Sequence, residues 1–370
     1  MANMRTIPFF DYPSLFAEIE QEAMVKIRGV LARGAYIMQS ELFEFEAELA
    51  RYADVKHAIG VADGTMGLLL PLLALQLKAG DEVIVPAHTF VASAAAIHHA
   101  GGKPVVVDCG PDHLIDVESV KDAIGPRTRG IMPVHLNGRT ADMDALTALA
   151  DEHSLFIVED ACQALGSKFK GRGAGTFGAA ASISFYPSKT LGCFGDGGAV
   201  LTNDDGLAGR IKLLRDHGRS GDGDVVAWGY NSRLDNMQAA ILSLKLERYD
   251  KYIARRREVA ARYDAKLGEL SSMLLPPGPN ASAEHFDIFQ NYEIEADQRD
   301  ELRAFLGSRG VGTIIQWGGK TINRFKQLGF DENLPYTDRM TSRFMLLPMN
   351  TALSDSDVDY ICNCIIEFYS

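Results

Sequence analysis

The stretch from Phe156 to Val200, FIVEDACQALGSKFKGRGAGTFGAAASISFYPSKTLGCFGDGGAV, constrains the fold of this chain most. An apolar run, Leu155 to Val158, stops abruptly at Glu159 and Asp160. A buried parallel strand reads this way when it delivers a polar side chain to the carboxyl edge of its sheet, where open α/β sheets bind ligands. A second short strand is predicted over Ala181 to Phe185, leading into Tyr186-Pro187-Ser188-Lys189 and then a glycine-rich turn from Gly192 to Gly198.

A lysine between an apolar strand and such a turn can be kept partly out of water. Desolvation disfavours its charged form and leaves an amine able to attack a carbonyl. A Schiff base with pyridoxal phosphate is the commonest use of that amine. The cofactor also needs a carboxylate beside its pyridine nitrogen, and Asp160 at the strand end is placed for it. A lone loop lysine is otherwise a plain solvated charge, so Lys189 alone does not decide between the two.

The remaining chain has strand-helix-strand rhythm. Strands are predicted over Asp81 to Pro86, Lys103 to Asp108 and Thr128 to His135, with helices over Ala92 to His99 and Asp142 to His153, the pattern of a crossover-connected parallel sheet. Apolar spacing predicts one amphipathic helix over 14–33 and a second from Ser40 to Tyr52 with Ser40 as its cap. A short strand before Asp63-Gly64-Thr65 gives way to an apolar helix. The free N–H groups of such a helix start bind phosphate, though an ordinary capped turn reads the same way. Phe90, at a strand-to-helix junction, is either core or a flat ring available for stacking, with His88 its polar neighbour.

Beyond the lysine, a polar glycine-rich loop, Gly218 to Trp228, is long enough to be mobile or to reach a partner. A long helix is predicted over 234–268, with Arg255-Arg256-Arg257 as a solvated face. Strands over Phe286 to Ile294, Gly312 to Gln316 and Arg343 to Leu347 follow, with helices over Gln298 to Ser308 and Asp355 to Tyr369, the last capped by Ser354.

Bulk properties exclude some classes. The 370 residues are 46% hydrophobic, enough for a sizeable core, and the formal net charge of −12 supplies no surplus of cations for nucleic acid or an acidic membrane surface. Cys109, Cys162, Cys193, Cys362 and Cys364 are scattered with no CxxC pair, and Cys362-x-Cys364 would point apart on a helix, so they read as reduced thiols without a metal site. MANMRTIPFFDYPSL lacks the apolar core of a signal peptide. The longest apolar run, Leu68 to Leu77, is too short for a membrane span and carries Pro71. A cytoplasmic protein is expected.

The strings VEDACQALG, GTFG, SFYPSK and GDGGAV, in that order and at this spacing, resemble the DegT/DnrJ/EryC1/StrS family of pyridoxal-phosphate sugar aminotransferases. Further matches are GAYIMQSELFEFEAELARY (34–52), IGVADGT (59–65), GDEVIVPAHTFVASAAAI (80–97), PVHLNGRTADM (133–143), LRDHGRS (214–220) and GYNSRLDNMQAAIL (229–242), so the likeness covers nearly the whole chain. Two departures stand out. Gly67 and Pro71 replace helix formers after the GT pair, which predicts a kink near Gly67. Gln316 and Trp317 stand where many members carry a histidine-tyrosine-proline pattern close to the sugar.

The resemblance implies an aspartate-aminotransferase-like α/β fold (fold type I), with a large, mostly parallel-sheet cofactor domain over 1–245 and a small C-terminal α/β domain over 246–370. It implies pyridoxal phosphate on Lys189, with Asp160 at the pyridine nitrogen and Gln163 near the phenolic oxygen. Gly64, Thr65, Ser184 and Asn231 would bind the phosphate, and Phe90 would stack on the ring. Asn231 would reach into an adjacent subunit, hence a homodimer with shared sites. Trp317, Gln316, His88 and Tyr186 are the substrate-side candidates. The implied reaction moves an amino group from L-glutamate to a nucleotide-linked keto-deoxysugar, with a dTDP-4-keto-6-deoxyhexose named first. A 3-keto sugar or a cyclitol is the alternative acceptor. A pyridoxamine-dependent sugar dehydratase is disfavoured by Lys189, because such enzymes typically carry histidine there. A non-catalytic cofactor-binding regulator would need a reader of DNA or a signalling tail, and the sequence shows neither a helix-turn-helix extension nor a basic arm.

Overall fold

In the computed structural model, which describes residues 5–370, strand β2 (Glu82–Pro86) shows why the main sheet needs cover on both faces. All five of its residues are buried. Its alternation sends Val83 and Val85 into a cluster with Leu68, Leu69 and Leu72, and Ile84 into another with Ile131, Ile157 and Leu146. The other strands of this sheet are β1 (His57–Val61), β3 (Lys103–Val107), β4 (Thr128–Ile131) and β5 (Phe156–Asp160), then β8 (Ala180–Ser184) and β9 (Gly198–Thr202). Between β5 and β8 lie the two-residue strands β6 (Lys168–Phe169) and β7 (Arg172–Gly173).

The order is β1-β9-β8-β5-β4-β2-β3; β9 runs antiparallel to both its neighbours, and the other pairs are parallel. This is the mostly parallel sheet of fold type I. Towards the C-terminus, β10 (Met273–Leu274), β12 (Tyr292–Ala296) and β13 (Phe344–Leu347) form a three-stranded antiparallel sheet, while β11 (His285–Phe286) joins β6. The last helix, Asp355–Tyr369, opens on the expected Ser354, whose side chain forms a reciprocal capping box with Asp357.

Several local expectations change, each because a distant partner decides. The segment 14–33 is two helices, Tyr12–Ala17 and Glu20–Arg33, and the break lets buried Ile19 reach Ile241 and Leu244. Ser40 is the first helical residue rather than the cap, which is Gln39. The helix Gly64–Ala74 is continuous through Pro71. Gly67 is the residue whose carbonyl a proline ring at 71 meets. Its lack of a Cβ also lets the helix lie on β8, because a Cβ there would sit 2.2 Å from Ser182 Oγ.

The predicted long helix is split into Asn236–Leu246 and Tyr249–Leu267 by a turn that inserts Tyr249, whose hydroxyl donates to the Leu165 carbonyl at 2.8 Å. Within it, Arg256 is buried and donates to the carbonyls of Phe289, Gln290 and Met349; the basic run is therefore not a solvated face. The predicted strand 286–294 is interrupted, with Phe289 in the left-handed region at φ 52°, and 312–316 makes a single bridge, Ile314 to Leu346, rather than a strand. Likewise β4 ends at Ile131, and Val134 adds a single bridge to Asp160. No helix among the described residues is long and apolar enough to cross a membrane. Residues 1–4 of the leader reading lie outside the described residues.

Candidate active site

Strand alternation sends the two carboxylates at the end of β5 to opposite faces. Glu159, fully buried, accepts from His135 Nε2 at 2.9 Å and from the backbone N–H groups of Gly175, Phe177 and Gly178 at 2.7, 2.6 and 2.6 Å; it anchors the loop before β8. Asp160 faces the carboxyl edge. Its Oδ2 accepts from Ser93 Oγ at 2.7 Å and its Oδ1 from the Cys162 N–H at 3.2 Å. With its proton given to Asp160, Ser93 takes one from Thr89, 2.8 Å away. Neither Thr89 nor Ser93 stands out in the sequence, since an i, i+4 hydroxyl pair at a helix start is common.

Lys189 follows β8 in a turn closed by its N–H donating to the Tyr186 carbonyl at 2.8 Å. Burial lowers the pKa of its ammonium below the usual lysine value, against the opposing pull of Cys162 and Asp160, although the residue as a whole stays partly exposed. Burial and the Asp160 charge push the Cys162 thiol well up, so Cys162 is no thiolate nucleophile. An amine whose charged form is disfavoured by burial thus lies in the field of the Asp160 carboxylate.

Beside them begins the helix Gly64–Ala74. Asp63 caps it by accepting from the Met66 N–H at 2.8 Å, which leaves the Gly64 and Thr65 N–H groups of the first turn without intrahelical acceptors. A Cβ on Gly64 would lie 2.9 Å from Cys162 Sγ and 3.0 Å from Ser184 Cβ, so only glycine fits this approach. Gly64, Ser184, Cys162, Asp160 and Lys189 are thus gathered in one place. Those residues fit pyridoxal phosphate: an anion-binding helix start, a carboxylate and a desolvated amine.

The structure distributes the other candidates unevenly. Phe90 is 52% exposed, its ring 6.4 Å from that of Trp317, and Tyr186 is 53% exposed. Gln163 Oε1 accepts from the Asn137 N–H at 2.8 Å and from Asn291 Nδ2 at 3.3 Å. His88 and Gln316 are buried and engaged with protein partners, both on Glu293. Asn231 is exposed, with a lone backbone bridge to Asp216.

Glu293 is a hub that the sequence reading passed over. Its Oε1 bonds to His88 Nε2 (2.9 Å), His113 Nδ1 (2.7 Å) and Asn137 Nδ2 (3.1 Å), and its Oε2 accepts from Gln316 Nε2 (2.8 Å). His113 Nε2 bonds to Glu295 Oε1 at 3.2 Å. The signal was available in Tyr292-Glu-Ile-Glu-Ala, where two acids alternate onto one face of an otherwise apolar strand and must find cations there. His88, His113 and Glu293 have ligand-type atoms within 4.8 Å of one another, and these hydrogen bonds account for the grouping.

Burial alone would lower the His113 pKa, but Glu293 and Glu295 prevail and push it up to about 9. Burial is likewise overridden at Glu293, held below the usual range by His88 and His113, and at Glu295, held at about 2 by His113 and Tyr336. The raised histidine stabilises fully below its ordinary 6.5, and that stabilisation is lost as pH rises through about 9. The acids stabilise above their ordinary 4.5, and theirs is lost at the acid end. Thermal melts of wild type and His113→Gln should therefore differ most below pH 6.5 and converge as pH passes about 9. A gap independent of pH would show that this ion pair does not form.

The family model described as the DegT/DnrJ/EryC1/StrS aminotransferase family matches residues 17–366. The chain is 44% identical over 318 residues to the dTDP-3-amino-3,4,6-trideoxy-alpha-D-glucose transaminase of Streptomyces venezuelae, covering 85% of this chain and 83% of that protein. It is 38% identical over 367 residues to a pleiotropic regulatory protein of Geobacillus stearothermophilus, covering 98% of each. Among solved structures, S. venezuelae DesV in complex with a ketimine intermediate superposes with a TM-score of 0.94 at 38% identity, covering 98% of both chains. Matched motifs, fold and site geometry agree: this chain belongs to the DegT/DnrJ/EryC1/StrS aminotransferase family and is a pyridoxal-phosphate-dependent aminotransferase.

Proposed function

We propose that the enzyme transfers an amino group from L-glutamate to carbon 3 of a dTDP-linked keto-deoxysugar. The observation that carries the site assignment is the desolvated Lys189 amine in the field of Asp160, next to the open first turn at Gly64. Lys189 holds the cofactor, and its amine, whose charged form burial disfavours, takes the proton from the donor's α-carbon. Asp160 keeps the pyridine nitrogen protonated. Gly64, Thr65 and Ser184 receive the phosphate, Gln163 lies toward the phenolic oxygen, and Phe90 covers the ring. Bound there, pyridoxal phosphate supplies the electron sink for the transfer.

The half-exposed Phe90 and Tyr186, with Trp317 beside Phe90, offer flat apolar surfaces suited to a sugar or base. The S. venezuelae relative is named for a 3-amino product. That weighs toward carbon 3 over the 4-keto sugar named first from sequence. Asn231 adjoins a run of exposed apolar residues, Val225 (67%), Val226 (62%), Trp228 (97%) and Tyr230 (38%), which supports a homodimer in which Asn231 completes the partner's phosphate site.

The test is to load the enzyme with cofactor, add glutamate, and offer dTDP- and UDP-linked 3-keto and 4-keto sugars and a keto-inositol, reading products by NMR. A 3-amino dTDP sugar is expected from a particle of twice 40.4 kDa in sedimentation. A 4-amino sugar or an amino-cyclitol overturns the substrate assignment. Bound cofactor that never accepts the glutamate nitrogen points instead to a regulator, the reading the Geobacillus relative's name favours.

A further inference from the structure

Gln290 is 4% exposed and lies in the segment that leads into β12. Its side-chain amide meets the chain on both sides of Lys189. Gln290 Nε2 donates to the Ser188 carbonyl at 2.8 Å, while its Oε1 accepts from the Thr190 N–H at 2.7 Å and from Thr190 Oγ1 at 2.8 Å. The partners fix the amide's orientation, since a backbone N–H only donates and a carbonyl only accepts. Neither a carboxylate nor an apolar side chain can satisfy both. The clasp is itself held from behind: Arg256 Nη1 donates to the carbonyls of Phe289 and Gln290 at 3.1 and 3.0 Å. The next residue, Asn291, donates to Asn137 Oδ1 at 2.9 Å and Gln163 Oε1 at 3.3 Å, and Glu293 lies two residues further on.

We infer that Gln290 is a positioning residue for the amino-transfer reaction, fixing the Ser188-Lys189-Thr190 turn so that the Lys189 amine meets its target in register. The inference rests on the reading of Lys189 as the cofactor-bearing amine. Lys189 makes no side-chain hydrogen bond of its own among the described residues, so its aim is set by its backbone, and the backbone is held on each side by this one amide. A displacement of about 1 Å at a reacting group costs up to about 100-fold in rate. The same four-residue stretch, 290 to 293, therefore ties the lysine turn to Gln163 and, through Gln316 on Glu293, to the Trp317 turn.

The test replaces Gln290 with methionine, which fills similar volume without either bond, and with glutamate, which keeps the two Thr190 bonds and loses the donor to Ser188. In Gln290→Met, kcat for the glutamate half-reaction should fall about 10- to 100-fold with KM changed less than about 3-fold. The pH midpoint of the cofactor–lysine absorbance should shift, and amide exchange at Thr190 should quicken in the cofactor-free protein. Gln290→Glu should fall between. If Gln290→Met fails to fold, Thr190→Val, which removes one of the three bonds, should show the same changes at smaller size. Faster exchange at Thr190 with unchanged kcat and absorbance midpoint overturns the inference, because the amide would then only brace the turn. Borohydride reduction and peptide mapping of the same loaded variants separate the two readings. A label on a residue other than Lys189 removes the premise, whereas a label on Lys189 with unaltered rates removes only the role of Gln290.

Discussion

Replacing Lys189 with alanine should lower the amino-transfer rate by on the order of 10²- to 10⁴-fold, the range for loss of one positioned acid–base group, and more if the covalent attachment itself is rate-determining. Burial lowers the lysine's pKa, while Asp160 limits the fall. At neutral pH the neutral amine is thus populated above what an exposed lysine provides, which a general base requires. Lys189→Arg should not restore the rate, because a guanidinium stays protonated and cannot accept the proton. The measurement is single-turnover loss of the glutamate α-proton with cofactor supplied, with and without added methylamine. Partial rescue by the small amine is expected in Lys189→Ala. Full steady-state turnover in that variant would mean that the reactive amine lies elsewhere.

Asp160→Asn should leave the fold nearly intact and cost roughly 10²- to 10³-fold in the same half-reaction, the scale for removing one buried electrostatic contact to a reacting centre. The hydrogen bonds explain how the two effects separate. The Cys162 N–H can only donate, so the asparagine oxygen must stay where Oδ1 is, and the new NH₂ must face Ser93. Ser93 can rotate to accept, because Thr89 can turn its own hydroxyl as the partner of that bond. All bonds survive, and the charge alone is lost. Stability should then change by no more than about 1 kcal/mol. Cofactor should still bind through the Gly64 helix start, with its ring nitrogen no longer held protonated. A variant with normal turnover would show that the carboxylate is not at the pyridine nitrogen. One with a collapsed melting temperature would show that Asp160 serves chiefly to hold β5 in place.

Much of the architecture could be read from local pattern. The strands and helices that bring Asp160, Lys189 and Gly64 to one sheet edge are each marked by apolar runs of the right length, by breakers and by polar strand ends, all confined to a few residues of chain. The Ser354 capping box is equally local. Where the reading failed, the deciding partner was remote. Nothing in residues 14–33 announces that Ile19 must reach Ile241, and three consecutive arginines look solvated until the carbonyls of Phe289, Gln290 and Met349 close around the middle one. A proline at 71 looks costly inside a helix, yet the helix continues past it, with Leu68, Leu69 and Leu72 in one cluster with Val83 and Val85.

The sequence by itself determined which residue types stand at the ends of which strands, because alternation and turn chemistry act over a handful of positions. Only the tertiary structure decided that Gln290 would clasp the lysine turn across 100 to 102 positions of chain, or that Glu293 would gather His88 from 205 positions away. A buried amide or carboxylate must be hydrogen-bonded, but its own sequence neighbourhood does not say by what. That choice is made when the C-terminal sheet packs against the edge of the large one, where desolvation makes every unpaired polar atom costly.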